Sequence, residues 1–295
     1  MKKIGDALLY WLFYALTGCI AILPRPLFYA KSDFLAFLLA HVIRYRRKVV
    51  HQNLANSFPE LSEKERRHIA RKFYLHLSDL ILESFFLLHA SPKRMMKRCT
   101  YTNNELLEPF FVQGRSVVIA AAHIANWEFL TTAAPLIKHH MLNVFKPVHN
   151  KRIERFLTRS RERLGGSAIP MQGILRAIVQ YEKLHIPTLI GLISDQTPPP
   201  GNYPWLEFLH QDTMVYTGVE KIARQFNSPV FFCDMTRVRR GYYSVTLRLI
   251  TDTPNELPEN AITSTNMQLL EDSIRRNPES WLWSHKRWKR KRPTA

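Results

Sequence analysis

SVVIAAAHIANWEFLTTAAPLI, residues 116–137, decides the fold, because a buried strand, a polar turn and a helix follow one another there without a break. Residues 116–122 are a short, almost uninterrupted apolar run rich in valine and isoleucine, which suits a strand covered on both faces by helices. Asn126 stands where an N-cap belongs, its side-chain oxygen ready to accept an amide hydrogen from a helix beginning at Trp127. Glu128 then falls in the first turn, where the helix dipole favours a carboxylate. The pattern predicts an α/β fold, a central and mostly parallel sheet flanked by helices.

His123 and Glu128 lie five residues apart. On one continuous helix they would point about 140° away from each other. They cooperate only if His123 sits in the turn, where the Glu128 carboxylate can hold one ring nitrogen and leave the other free as a base. A hydrogen-bonded structural histidine fits the same spacing. Placement at the carboxyl end of a buried strand, where ligands of α/β sheets bind, favours catalysis.

Lys and Arg number 42 against 24 acidic residues, a net charge of +18, so an anionic partner is expected: a phospholipid surface, an acidic protein or nucleic acid. The three cysteines, Cys19, Cys99 and Cys233, form no CxxC pair, which suits a reducing compartment and excludes a disulfide framework. His139, His140 and His149 lack the spacing of a metal site, so no metal or other cofactor is expected.

Residues 7–23 are 17 positions without a charge, near the lower limit for a bilayer-spanning helix. Lys2 and Lys3 precede them, and an uncleaved membrane anchor is expected, although Leu16, Thr17, Gly18 and Cys19 also resemble a lipoprotein cleavage site. Residues 34–43 read as a second apolar helix ending in Arg44, Arg46, Arg47 and Lys48. The chain therefore divides into an anchor with interfacial helices, residues 1–43, and an α/β domain, residues 44–295.

Residues 56–88 read as one helix with a capping box at Ser62 and Glu65. Residues 141–148 suit a strand, and residues 150–164 a basic helix carrying Arg161 and Arg163. A helix over 174–183 follows. The strand at 186–194 repeats the buried pattern and ends in Asp195 and Gln196, so two polar strand ends are expected to face one cleft. The Pro198–Pro200 run with Tyr203, Trp205 and Phe208 reads as a loop able to wall an apolar pocket. A helix at 217–226 and strands at 229–238 and 242–250 close the alternation. The tail WLWSHKRWKRKRP, residues 281–293, has the composition of a segment bound to an anionic interface.

Together the segment NLANSFPELSEKE (53–65), the HIANWE block, Asp195–Gln196 and the ending NPESWLWSHKRWKRKRP resemble the late acyltransferases of lipid A biosynthesis, the lauroyl and myristoyl transferase family, within a wider superfamily of glycerolipid acyltransferases. The resemblance implies transfer of a fatty acyl chain from acyl carrier protein to a hydroxyl of a lipid A precursor, at the cytoplasmic face of the bacterial inner membrane. It assigns His123 and Glu128 to the catalytic dyad. With it, His123 acts as general base, oriented by Glu128, while Asn126, Arg161, Arg163, Asp195 and Gln196 bind substrate. Ala125 stands where the family often has glycine, and Phe208, Leu209 and His210 where an aromatic pair and a glycine are common. Another membrane lipid as acceptor, such as a lyso amino lipid or a glycolipid, fits the same dyad. The basic tail fits a noncatalytic binder of anionic lipid or nucleic acid, but no nucleic-acid fold motif accompanies it, and nucleic acid is not expected as a partner.

Overall fold

The computed structural model describes residues 2–292. Pro293 of the basic tail and the side chains of Lys2 and Lys3 lie outside the described residues. The chain begins with α1 (Lys2–Ala21), α2 (Arg25–Phe37), a π-helical turn (Leu38–Val42), α3 (Arg47–Ser57), α4 (Glu63–His89) and α5 (Pro92–Met96). Then come β1 (Cys99–Thr102), α6 (Glu108–Val112), β2 (Val117–Ala121), a 3-10 run (Trp127–Leu136), β3 (His140–Phe145), α7 (Lys151–Glu162) and β4 (Ser167–Pro170). The remainder is α8 (Ile174–Lys183), β5 (Thr188–Ile193), the hairpin β6 (Trp205–Phe208) and β7 (Gln211–Met214), α9 (Gly218–Gln225), β8 (Val230–Arg239), β9 (Tyr242–Thr251) and α10 (Ala261–Arg276).

Seven strands form one sheet in the order β1-β9-β8-β2-β5-β3-β4, and every neighbouring pair is parallel except β8 with β9. The expected α/β class is correct. All five residues of β2 are buried, and they alternate between two cores: Val117, Ile119 and Ala121 face the side of α4, while Val118 and Ala120 face α8 and α9. A strand buried on both faces is apolar at every position, which is what residues 116–122 encode. In the β2–β5 register Ala121 pairs with Ile193. His123 and Asp195 therefore both emerge two residues beyond a paired strand end, at one edge of the sheet.

Two expectations change. The helix read over 56–88 is two helices, separated around Pro59, whose ring cannot continue α3. Ser62 opens α4 with the reciprocal bonds of a capping box, its backbone N–H donating to Glu65 Oε2 at 2.7 Å and its Oγ accepting from Glu65 N at 3.3 Å. The helix expected from Trp127 is a 3-10 run. Pro135 lies inside it, and the hydroxyls of Thr131 and Thr132 donate to the carbonyls of Glu128 and Phe129, offering the backbone a tighter alternative to the α ladder.

Of the expected anchor, the structure shows a short apolar N-terminal helix. Among the described residues no single helix is long and apolar enough to cross a membrane. α1 is a short apolar helix that packs against α4, with Thr17 and Ala21 buried, while Leu8, Trp11, Leu12 and Leu16 are exposed. Phe34, Phe37, Val42 and Ile43 are also exposed, and in sequence they lead into the exposed Arg44, Arg46, Arg47 and Lys48.

Candidate active site

His123 lies in the turn after β2 and Asp195 in the turn after β5. Their side chains meet: His123 Nδ1 donates to Asp195 Oδ1 at 2.7 Å. The backbone N–H of His123 and the indole Nε1–H of Trp281 both donate to Asp195 Oδ2, at 3.2 and 2.8 Å. Asp195 is 3% exposed, so three donors compensate a carboxylate removed from water. Because Nδ1 carries the proton given to Asp195, Nε2 is the free, basic nitrogen, and the Gln196 side-chain nitrogen stands 3.3 Å from it.

Burial pushes the His123 pKa down, but the charge and hydrogen bond of Asp195, with a further contribution from the Glu128 charge, outweigh it and leave it above the ordinary histidine value. Burial likewise raises the Asp195 carboxyl, and His123 and Trp281 more than reverse this, leaving its pKa below the usual range. The pair is thus a base of enhanced strength with its orientation fixed.

Glu128, expected as the orienting carboxylate, faces Arg161 instead. Its carboxylate, about one-third exposed, lies 3.7 Å from the Arg161 guanidinium, and among the described residues no hydrogen bond joins it to the imidazole. A 3-10 start instead of an α-helical first turn accompanies this arrangement. Arg161 stands over the Phe145 ring and lines the same cavity as His123, Glu128 and Gln196. Arg163 does not reach that cavity: it bonds the carbonyls of Leu87 and Leu88 at the end of α4.

Asn126 is fully buried and caps nothing. Its Nδ2 donates to Glu83 Oε2 at 2.9 Å, and Glu83 also receives hydroxyl hydrogens from Tyr29 and Tyr243. Burial raises the Glu83 pKa more than these donors lower it. Beside it, His76 Nε2 bonds the Ala125 carbonyl at 3.0 Å, and burial lowers the His76 pKa to about 4, so the ring is neutral and donates. Ala125 holds φ at +52°. Its N–H donates to the Ser280 carbonyl at 2.9 Å, and Leu282 N–H donates to the His123 carbonyl at 3.1 Å. The turn is therefore fixed from behind by α4 and from the side by residues 280–282.

The basic-aromatic tail was expected at an anionic interface; most of its aromatic part is core instead. Trp281, Trp283 and Arg287 are buried, and the Thr197 hydroxyl donates to the Arg287 carbonyl at 2.7 Å, closing the tail over the strand-end loop. Lys286, Lys289, Lys291 and Arg292 remain exposed. His76, Glu83 and the bond of Trp281 to Asp195 were missed because their partners are remote in sequence.

In front of His123 lies a cavity of about 570 Å³. Its lining includes the apolar Leu107, Ile119, Leu130, Ala133, Val245 and Leu247, and among its polar groups are His123, Glu128, Lys146, Arg161 and Gln196. Its size suits a flexible small-molecule chain. Tyr203, Trp205 and Phe208 do not line it; Tyr216 does, and Phe208 packs on Trp281 and Trp288. Among the described residues no group of three or more His, Cys, Asp or Glu side chains is arranged to hold a metal ion.

A family model described as bacterial lipid A biosynthesis acyltransferase matches residues 3–290. The lipid A biosynthesis lauroyltransferase of Escherichia coli K12 is 23% identical, with 98% of this chain and 96% of that protein covered. The lipid A biosynthesis palmitoleoyltransferase of the same organism is 22% identical, over 95% and 92% of the two chains. A lipid A biosynthesis acyltransferase of Haemophilus influenzae Rd is 23% identical, over 95% and 90%.

Proposed function

The chain belongs to the bacterial lipid A biosynthesis acyltransferase family and is an acyltransferase, and we propose that it moves a fatty acyl chain from an acyl carrier protein thioester to a hydroxyl of a lipid A precursor. The observation that carries the mechanism is the fixed tautomer of His123: Asp195 holds Nδ1–H, and Nε2 opens on an apolar cavity. The acceptor hydroxyl displaces the Gln196 amide from Nε2 and gives its proton to that nitrogen. Its oxygen attacks the thioester carbonyl carbon, the carbon–sulfur bond breaks, and the thiolate leaves with the proton returned by the imidazolium. Asp195 stabilises that imidazolium, and the Glu128 charge adds to it. The displaced Gln196 amide is a donor available to the oxyanion.

The many apolar residues lining the cavity support a fatty acyl chain as the donor group. A net charge of +18 suits both an acidic carrier protein and an anionic lipid. The exposed apolar residues of α1, α2 and the π-helical turn, followed in sequence by Arg44, Arg46, Arg47 and Lys48, support docking at the surface of an anionic membrane, in keeping with the cytoplasmic face of the inner membrane. Asn126 and Arg163 act as structural supports in this reading rather than as substrate ligands.

The test is to incubate detergent-solubilised protein with acyl carrier protein thioesters and an under-acylated lipid A precursor and to follow product mass. Gain of one acyl group is expected, with a fall of about 10³- to 10⁴-fold in His123→Ala. Transfer by His123→Ala at the native rate would refute the mechanism, and no transfer with any donor length would refute the acceptor.

A further inference from the structure

Two chains of hydrogen bonds run through the interior from α2 to the turn that carries His123. Both pass through α4, against which α2 packs with Tyr29 and Ser32 buried, while Leu27, Phe34 and Phe37 of the same helix are exposed. In the first chain the Tyr29 hydroxyl donates to Glu83 Oε1 at 3.0 Å, and Asn126 Nδ2 donates to the other oxygen, Glu83 Oε2, at 2.9 Å. The Tyr243 hydroxyl, from β9, donates to that second oxygen as well. One carboxylate thus holds α2 on one side and residue 126 of the turn on the other.

The second chain starts at Ser32, whose hydroxyl donates to Asp79 Oδ1 at 2.6 Å. Arg237 donates to Asp79 Oδ2 at 2.8 Å and, through its other amino group, to His76 Nδ1 at 3.4 Å. The opposite ring nitrogen, Nε2, donates to the Ala125 carbonyl. Tyr29, Ser32, His76, Asp79, Glu83 and Asn126 are all buried, so a group deprived of its partner there finds no water in exchange.

The seat of α2 is itself closely fitted. Gly241, in the turn between β8 and β9, holds φ at +78°, and a Cβ there would collide with the Tyr29 hydroxyl. Arg240 of the same turn pairs with Asp33 of α2 at 2.6 Å and with Asp79 at 2.7 Å. The division expected after residue 43 therefore cuts through a buried network that ends two and three residues from His123.

We infer that Glu83 and Tyr29 are positioning residues for His123, and that α2 is part of the catalytic unit rather than a detachable membrane anchor. The inference rests on the acyl transfer proposed above and extends its machinery to the N-terminal helices. Neither residue touches substrate. They act by holding residues 125 and 126, and with them the direction of the imidazole, where a displacement of about 1 Å can cost about 10²-fold in rate.

The experiment compares the full native chain with Tyr29→Phe, Glu83→Gln and Glu83→Ala in detergent, where there is no bilayer to anchor to. With acyl carrier protein thioesters and an under-acylated lipid A precursor, Tyr29→Phe is expected to lower kcat about tenfold and Glu83→Ala about 10²-fold, with both KM values within about twofold of native. Glu83→Gln keeps an acceptor for Asn126 and a donor for the Tyr29 oxygen, and is expected to recover most of what Glu83→Ala loses. Native kcat in Tyr29→Phe and Glu83→Ala would overturn the inference. So would a fall in kcat that only follows the fraction of unfolded protein and is not recovered by Glu83→Gln, since that is the mark of a purely structural role.

Hydrogen exchange in peptides spanning residues 122–128 reads the same tie without substrate. Exchange about tenfold faster in Tyr29→Phe than in the native chain is expected. Unchanged exchange would overturn the inference whether or not the protein transfers acyl groups. Faster exchange in the variant of a chain that transfers nothing would leave the tie standing and refute the reaction instead.

Discussion

Asp195, at the end of β5, and Glu128, at the head of the 3-10 run, are two carboxylates in the field of the same imidazole, and their surroundings differ. Asp195 is buried, with three donors on two oxygens; Glu128 is about one-third exposed and faces an arginine at 3.7 Å. An isolated buried carboxylate would take up a proton, yet that of Asp195 is held below the usual pKa range because its donors include the ring it serves. Glu128 keeps its contact with water, so its influence on His123 is a screened charge at a distance. Proximity in sequence points to Glu128, whereas the hydrogen bond to the ring comes from Asp195. Glu128 is five residues from His123, and Asp195 is 72 residues away.

Asp195→Asn should produce the larger loss of the two carboxylate changes. The amide keeps the shape but removes the charge that stabilises the imidazolium, and kcat is expected to fall about 10²- to 10⁴-fold. The sign of the accompanying pH effect is fixed. His123 must be neutral to act, so the rate rises with pH through its pKa, which lies above the ordinary histidine value in the native chain. Without Asp195 the main cause of that elevation is gone, burial is left to push the pKa down, and the acid limb of the pH–rate profile should move to lower pH. An acid limb that stays in place would mean that Asp195 does not set the basicity of His123.

Glu128→Gln should be milder, about tenfold in kcat, with a smaller shift of the same limb to lower pH. The contribution of Glu128 to the His123 pKa ranks behind both contributions of Asp195. Resemblance to the family makes Glu128 the dyad partner, whereas the geometry gives that place to Asp195. The two assignments predict opposite rank orders. A Glu128→Gln variant slower than Asp195→Asn under the same conditions would return the orienting role to Glu128 and require the acceptor-bound site to rearrange around it.

Much of the scaffold was legible in sequence because it follows from local rules. The strand at 116–122 has no polar face to hide, the helix at 174–183 matches α8 residue for residue, and Ser62 with Glu65 marks the start of α4. The strands β1, β4, β6 and β7 were not read, since each has four residues and no clear alternation. The second layer of the site was illegible for a different reason. Glu83 is an ordinary glutamate in an amphipathic stripe until Tyr29, Asn126 and Tyr243 converge on it. Trp281 looks like an interfacial aromatic until its indole meets Asp195.

The smallest expected effect concerns the backbone that joins the two carboxylate environments. Ala125 has φ +52°, a left-handed conformation that costs an L-residue about 1–2 kcal/mol. Glycine at that position would relieve the cost. Against this, glycine gives up roughly 0.5–1 kcal/mol through the greater freedom of the unfolded chain. It also removes a methyl group that is fully buried, worth about 0.8 kcal/mol. The contributions nearly cancel, which is how alanine is tolerated in this turn. Ala125→Gly should therefore shift the thermal midpoint by no more than about 2 °C and leave kcat within about twofold, because the hydrogen bonds of its N–H and carbonyl to Ser280 and His76 do not depend on the side chain. A gain of many degrees would mean that strain is concentrated at Ala125. A large loss of activity at unchanged stability would mean that the methyl group itself helps to set where His123 points.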